Sequence, residues 1–235
     1  MSEAPEYDPP AHTESEIVHR ALCLAGLVER LSFELAWPKW DVETRKQSEP
    51  ELEQLRAWLE AAPLGTSLSP KERKLLRRKP GSWNDADKLN ISWRLECLGV
   101  LLWSVQLIDT IPEYDMQFEH RALTDPLPLR SSVEPLVARA KLRADAELDA
   151  AWMTAERWHG RARRVQGFFS AGLAPAQLAQ MITRALGEPI QLGGMPYEAL
   201  TFEQYSLARS IALERHHAFN WIFDGAPWDD VLTDT

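Results

Sequence analysis

The sequence predicts an all-α fold, a single-domain bundle of about six helices around a central apolar helix at 84–109. One observation is that capping-box spacing occurs at four places. In a capping box, the side chains of a Ser or Thr and of a Glu or Gln three residues later accept hydrogen bonds from backbone N–H groups at a helix start. The pairs are Thr13 with Glu16, Ser48 with Glu51, Ser69 with Glu72, and Thr201 with Gln204, and Asn84 with Asp87 is a further candidate cap. The second observation is that strand alternation is lacking, apart from a possible extended pair around "PIQLGG".

These caps and the hydrophobic periodicity place the helices in order along the chain. Pro50 and Pro70 stand where a proline is tolerated at a helix start. The predicted helices are 14–36, 49–62, 70–79, 84–109, 132–170 and 202–224. The fourth contains "SWRLECLGVLLWSVQLI", which is apolar on nearly every side and therefore predicts the central position.

The predicted fifth helix has one continuous apolar face with several small residues. Its members recur every three or four positions: Ala140, Ala144, Leu148, Ala151, Ala155, Trp158, Ala162, Val165 and Phe169. Residues 1–12 are acidic and Pro-rich and predict a disordered leader, so the helical domain is expected at 13–235.

Charge and composition exclude several classes of function. The formal net charge of −9 disfavours nucleic-acid binding and favours a basic or neutral protein partner. Cys23 and Cys97 lie far apart and indicate neither a disulfide framework nor a zinc site. The start of the chain lacks the apolar core of a signal peptide, and no apolar run reaches the roughly 18 residues of a membrane span. We therefore expect a cytoplasmic protein without membrane contact.

The last predicted helix carries charges on its apolar face. Glu214 falls within about 20° of the middle of that face, Arg215 and His217 flank it, and His216 points away. A carboxylate that faces a core costs several kcal/mol unless it is paired. Our hypothesis is that Glu214 pairs with Arg94 of the fourth helix.

The fourth helix carries a second misplaced charge, Glu96, for which we expect a cation such as Arg215 or Arg20 as the partner. Arg94, Glu96, Glu214, Arg215 and His217 are thus the candidate site, either as a buried charge network or as a functional cleft.

A carboxylate–histidine metal site is an alternative interpretation. The Glu-x-x-His spacing of di-iron bundles occurs three times, at Glu16 with His19, Glu156 with His159, and Glu214 with His217. Metal ligands must converge, and helical geometry points Glu16, His19 and Glu156 away from the apolar faces of their helices. We therefore expect no metal and no cofactor.

Catalytic motifs give no further guidance, because the sequence contains no glycine-rich phosphate loop and no nucleophile elbow. The leading interpretation is a non-catalytic interaction protein of the inhibitor, immunity or adaptor type. The alternatives are an enzyme or small-molecule binder with a buried Arg/Glu/His cleft, and the metalloprotein.

Three motifs resemble those of an uncharacterised, mainly bacterial family known as domain of unknown function 4272. They are W-R-x-E at 93–96, E-R-H-x-A-x-N-W at 214–221 and W-D-D-V at 228–231. Cys97 stands where similar proteins usually carry alanine after this W-R-x-E motif. The resemblance implies a helical fold and supplies no activity, but it places Arg94, Glu96, Glu214 and Arg215 in the family's motifs.

Overall fold

A computed structural model describes residues 9–187 and 190–233 of the chain. Within these ranges the predicted all-α class is confirmed, with ten α-helices and one two-stranded hairpin. The helices are α1 (Glu14–Ala36), α2 (Val42–Glu60), α3 (Leu64–Ser67), α4 (Pro70–Leu76), α5 (Asp85–Ser104), α6 (His120–Thr124), α7 (Glu134–Arg139), α8 (Asp145–Ser170), α9 (Pro175–Leu186) and α10 (Phe202–Asp224). The strands are β1 (Gln191–Leu192) and β2 (Met195–Pro196), and 3-10 turns occur at Trp37–Lys39, Tyr197–Ala199 and Trp228–Asp230.

Four of the five predicted caps lie at the start of a helix. Complete capping boxes form at Thr13, Ser69, Asn84 and Thr201. The prediction at Ser48 is wrong, because its hydroxyl donates to the Thr44 carbonyl one turn earlier within α2.

The helix α2 begins before its predicted start. Its N-cap is Asp41, whose Oδ1 accepts the Thr44 N–H at 2.8 Å, and Pro50 lies inside the helix. The sequence "WDVET" therefore contains the N-cap of α2. The prediction missed it because the spacing of Ser48 and Glu51 indicated a later start.

The central helix α5 ends at Ser104, whereas the prediction extended it to residue 109. Its last carbonyls accept hydrogen bonds from a distant segment: the Arg143 N–H donates to Ser104 O at 2.9 Å and the Lys141 N–H donates to Val105 O at 3.1 Å. Gln106 then adopts a left-handed conformation, with φ of 57°. The end of α5 is thus determined by tertiary contact.

The same contact divides the predicted helix 132–170 into α7 and α8. Residues 140–144 are non-helical, and the N–H groups of Lys141 and Arg143 among them bond to the end of α5, so Ala140 and Ala144 do not belong to the helical face that was predicted. The remaining stripe is present on α8, where Leu148, Ala155 and Val165 are buried.

Three further comparisons with the prediction concern the start of the chain, the segment after α8 and the hairpin. The helix α9 was not predicted, although Pro175 at its start and the left-handed Gly187 at its end are ordinary boundary signals. The predicted extended pair is the β1–β2 hairpin, although Pro189 of "PIQLGG" lies outside the described residues. Residues 1–8 of the predicted leader also lie outside them, whereas Ala11 donates to Ile222 O at 2.8 Å and His12 stacks on Trp221.

The helix α5 lies between α1 and α10, which confirms its central position, and α10 also packs along α8. The two faces of α10 are therefore both covered, which explains why Arg215 and His216 are buried. None of the described helices is long and apolar enough to cross a membrane.

Candidate functional site

The most deeply buried charges are Glu96 on α5 and Arg215 on α10. Both side chains have no solvent exposure, and Arg215 Nε donates to Glu96 Oε2 at 2.9 Å. Sequence periodicity placed Glu214 at the centre of the apolar face and Arg215 at its flank. The structure reverses this order, because α10 is covered by α5 and by the segment that follows α5.

The Glu96–Arg215 pair also holds the segment that follows α5. Arg215 donates to the carbonyls of Pro112 at 2.5 Å and Met116 at 2.8 Å, while the Phe118 N–H donates to Glu96 Oε1 at 3.0 Å. Burial raises the pKa of Glu96, and the charge of Arg215 opposes that rise. Each group is thus neutralised by its partner, and this arrangement fits a role in folding.

The hypothesised pair of Arg94 and Glu214 is also present. Arg94 Nη1 donates to Glu214 Oε2 at 2.9 Å, and the side chains are 27% and 15% exposed. The Cys97 thiol donates to the same carboxylate oxygen at 3.1 Å. Burial, with the Glu214 charge, raises the pKa of Cys97 well above its ordinary value, so the thiol stays protonated.

His217 lies next to this pair and contacts the ring of Trp228 edge-on, with 4.6 Å between ring centroids. Burial lowers its pKa to about 3, and the charges of Arg94 and Arg20 add to that effect. His217 Nε2 is buried and has no hydrogen-bond partner within residues 9–187 and 190–233. At neutral pH the ring is uncharged.

Arg20, one of the two cations expected for Glu96, has a different partner. It forms a buried ion pair with Glu72, donates to Ser67 O at 2.6 Å, and lies over the Trp228 ring at 4.6 Å. Glu72 therefore caps α4 and neutralises Arg20 at once. The signal for this pair was present in the sequence, because Arg20 interrupts the apolar run of α1.

Arg94 lines a cleft of about 330 Å³ where α4, α5 and the turn Trp228–Asp230 meet. The rim carries Lys71 and Lys74, and Trp228 and Asp229 complete the wall. Lys71 is held in place through its backbone N–H, which donates to Asp229 Oδ2 at 3.1 Å. Sequence reasoning did not predict this cleft, because its lining residues belong to α4, α5 and the turn Trp228–Asp230, which are distant in the chain.

The three Glu-x-x-His pairs of the sequence do not converge on a common site. His159 and His216 form a buried contact between α8 and α10, with 3.0 Å between their Nδ1 atoms, while Glu156 is exposed. His216 was expected to point away from the apolar face, but α8 covers that side. Among the described residues, no three His, Cys, Asp or Glu side chains are grouped so that they could hold a metal ion.

Comparison with known proteins identifies a family. The family model described as Domain of unknown function (DUF4272) matches residues 5–180, a range that includes Arg94 and Glu96 but not Glu214 and Arg215. No curated protein and no solved structure matches the chain. Because the matched range covers most of its 235 residues, the chain belongs to the DUF4272 family.

Proposed function

We propose that this protein is a non-catalytic binding protein whose cleft at Arg94 receives a small ligand. The observation that carries the proposal is the difference between the two charge pairs. Glu96 and Arg215 are sealed from solvent, whereas Arg94 remains partly exposed on the wall of a cleft. The cleft is within the usual size range of small-molecule sites.

The lining indicates a ligand that carries both a negative and a positive group. Arg94, Lys71 and Lys74 offer donors to a carboxylate, while Asp229 offers an acceptor to an ammonium group. Trp228 supplies an apolar wall for the carbon body between these groups. A small zwitterion, such as an amino acid or a short peptide, has this chemistry.

A catalytic role has less support from the same groups. Cys97 has a raised pKa and is a poor nucleophile, because the thiolate is the reactive form. His217 has a pKa of about 3 and is a poor proton acceptor near neutral pH. The shifted pKa values of Cys97 and His217 therefore fit a binding role better than a catalytic role.

Loss of the Lys74 ammonium should roughly halve the ligand's effect on stability, because it removes about one charge-assisted hydrogen bond, and it should not unfold the protein, because Lys74 is exposed. A ligand at about 100 times its Kd stabilises a protein by about 2.7 kcal/mol. For a chain of this length we expect the wild-type melting temperature to rise by roughly 5–10 °C. The measurement is a thermal-shift screen of amino acids and short peptides on wild type and on Lys74→Ala.

Lys141→Ala is the matched control, since Lys141 is exposed and lies outside the cleft. Glu214→Gln removes the carboxylate that neutralises Arg94, so it should enlarge the shift caused by a ligand whose own carboxylate binds there. If Lys74→Ala shifts as much as wild type, or if no zwitterion shifts the wild type, the proposed site is wrong.

A protein-binding role, predicted from the net charge of −9, has separate support. The corner between α1 and α2 exposes two large apolar side chains, Leu35 at 54% and Val42 at 79%. Trp37 and Trp40 lie between them and are partly exposed, and tryptophan is a preferred anchor in protein interfaces.

We expect the double substitution Leu35→Ser and Val42→Ser to remove a partner protein that the wild type retains in affinity capture from the native host. Leu89→Ser is the control, because Leu89 is 58% exposed on α5, away from this corner. Retention of the same partner by the double variant would rule out the corner as the interface.

A further inference from the structure

A second cavity, which shares Arg78 with the Arg94 cleft, lies among α1, α2 and the end of α4. Its volume is about 440 Å³. Four cationic side chains line it: Arg30 from α1, Lys46 and Arg56 from α2, and Arg78 from the segment after α4. This concentration of positive charge stands out in a chain with a net charge of −9.

Arg30 is the unusual member of this lining. It is 4% exposed, and it forms an ion pair with Glu34 and donates to Arg78 O at 3.4 Å. Its Nε–H has no acceptor in the part of the chain that the structure describes. A buried donor without an acceptor is costly, so an acceptor is expected from the cavity that Arg30 lines.

Two carboxylates near the cavity, Glu34 and Glu53, are already engaged. Glu34 accepts hydrogen bonds from Arg30 and from the N–H groups of Gly81 and Trp83, both at 3.1 Å. Glu53, which lines the cavity, pairs with Arg56 at 2.5 Å. The acceptor that Arg30 lacks must therefore come from outside this set of residues.

We propose that this cavity binds a small organic polyanion through oxyanion groups, either phosphoryl or carboxylate. Guanidinium groups bind both kinds of oxyanion through paired N–H donors, and Lys46 adds a charge at the rim. Leu52, Leu76 and Pro80 form the apolar part of the lining and accommodate the carbon body. Arg78 also lines the Arg94 cleft, whereas Lys46 and Glu49 line this cavity and not that cleft.

Isothermal titration calorimetry with pyrophosphate and with citrate, at constant ionic strength, tests the proposal. We expect saturable binding of at least one probe with a Kd below about 1 mM, and the tighter probe identifies phosphoryl or carboxylate as the preferred group. Lys46→Ala should weaken binding on the order of tenfold, the value of one charge-assisted hydrogen bond. Lys46 is exposed, so this variant should remain folded.

Two further variants separate an effect on anion binding from an effect on folding. Glu49 lines the cavity and opposes an anion, so Glu49→Gln should strengthen binding. Lys141→Ala removes the same charge as Lys46→Ala at a site outside the cavity and should leave the Kd unchanged. The proposal is overturned if neither probe binds saturably, or if Lys141→Ala weakens binding as much as Lys46→Ala.

Discussion

Replacement of Arg215 by methionine should lower the free energy of unfolding by about 3–5 kcal/mol. The change leaves the Glu96 carboxylate fully buried without its cation, and it removes the guanidinium N–H groups that donate to the carbonyls of Pro112 and Met116. Loss of one partner of a buried pair is far more costly than loss of the pair, because the remaining charge has neither water nor a counterion. Urea denaturation followed by circular dichroism measures the effect.

Two comparisons test whether the unpaired charge of Glu96 causes the loss of stability in Arg215→Met. Arg130→Met breaks a pair with Glu29 in which both side chains are about one-third exposed, and it should cost less than about 1 kcal/mol. Adding Glu96→Gln to Arg215→Met should recover part of the lost stability, since the residual buried group is then neutral. If the double variant is instead as unstable as the sum of both single variants, Glu96 and Arg215 do not act as a pair.

Acidification should destabilise the protein through His216. In the unfolded chain this histidine binds a proton near pH 6.5, whereas burial and the neighbouring His159 lower its pKa to about 4 in the fold. The unfolded state therefore binds more protons between these values, and stability is lost as pH falls through this window. The expected contribution is roughly 3 kcal/mol by about pH 4.

The variant His216→Gln isolates this contribution. It removes the titrating ring and leaves His217 in place, so the difference between the wild-type and variant pH profiles belongs to the His159–His216 contact. We expect the variant's free energy of unfolding to fall less steeply between about pH 6.5 and about pH 4. Parallel profiles would contradict the assignment.

Helix starts were the most predictable part of the fold, because their signals are local. The capping side chains of α1, α4, α5 and α10 bond to N–H groups three residues away, and the sequence alone contains both partners. The end of α5 was not predictable in this way. It depends on Lys141 and Arg143, which approach its carbonyls only in the folded chain.

The candidate site was predictable as a set of charges and not as a cavity. Periodicity identified Arg94 and Glu214 as partners, because each lies in line with apolar residues of its own helix. Periodicity could not predict which charged residue of α10 is the most buried, because burial on α10 depends on α8 and on the segment around Tyr114. The cleft itself requires Lys71 and Asp229, which are 158 residues apart in the chain.

The order of synthesis gives the Glu96–Arg215 pair a further importance. Arg215 follows Glu96 by 119 residues, so a nascent chain carries the carboxylate of α5 without its counterion until α10 has left the ribosome. Contacts that join such distant segments form late in folding. The central helix should therefore reach its final packing only after α10 has been synthesised, and a ribosome-bound chain that stops before α10 should keep this region accessible to chaperones and proteases.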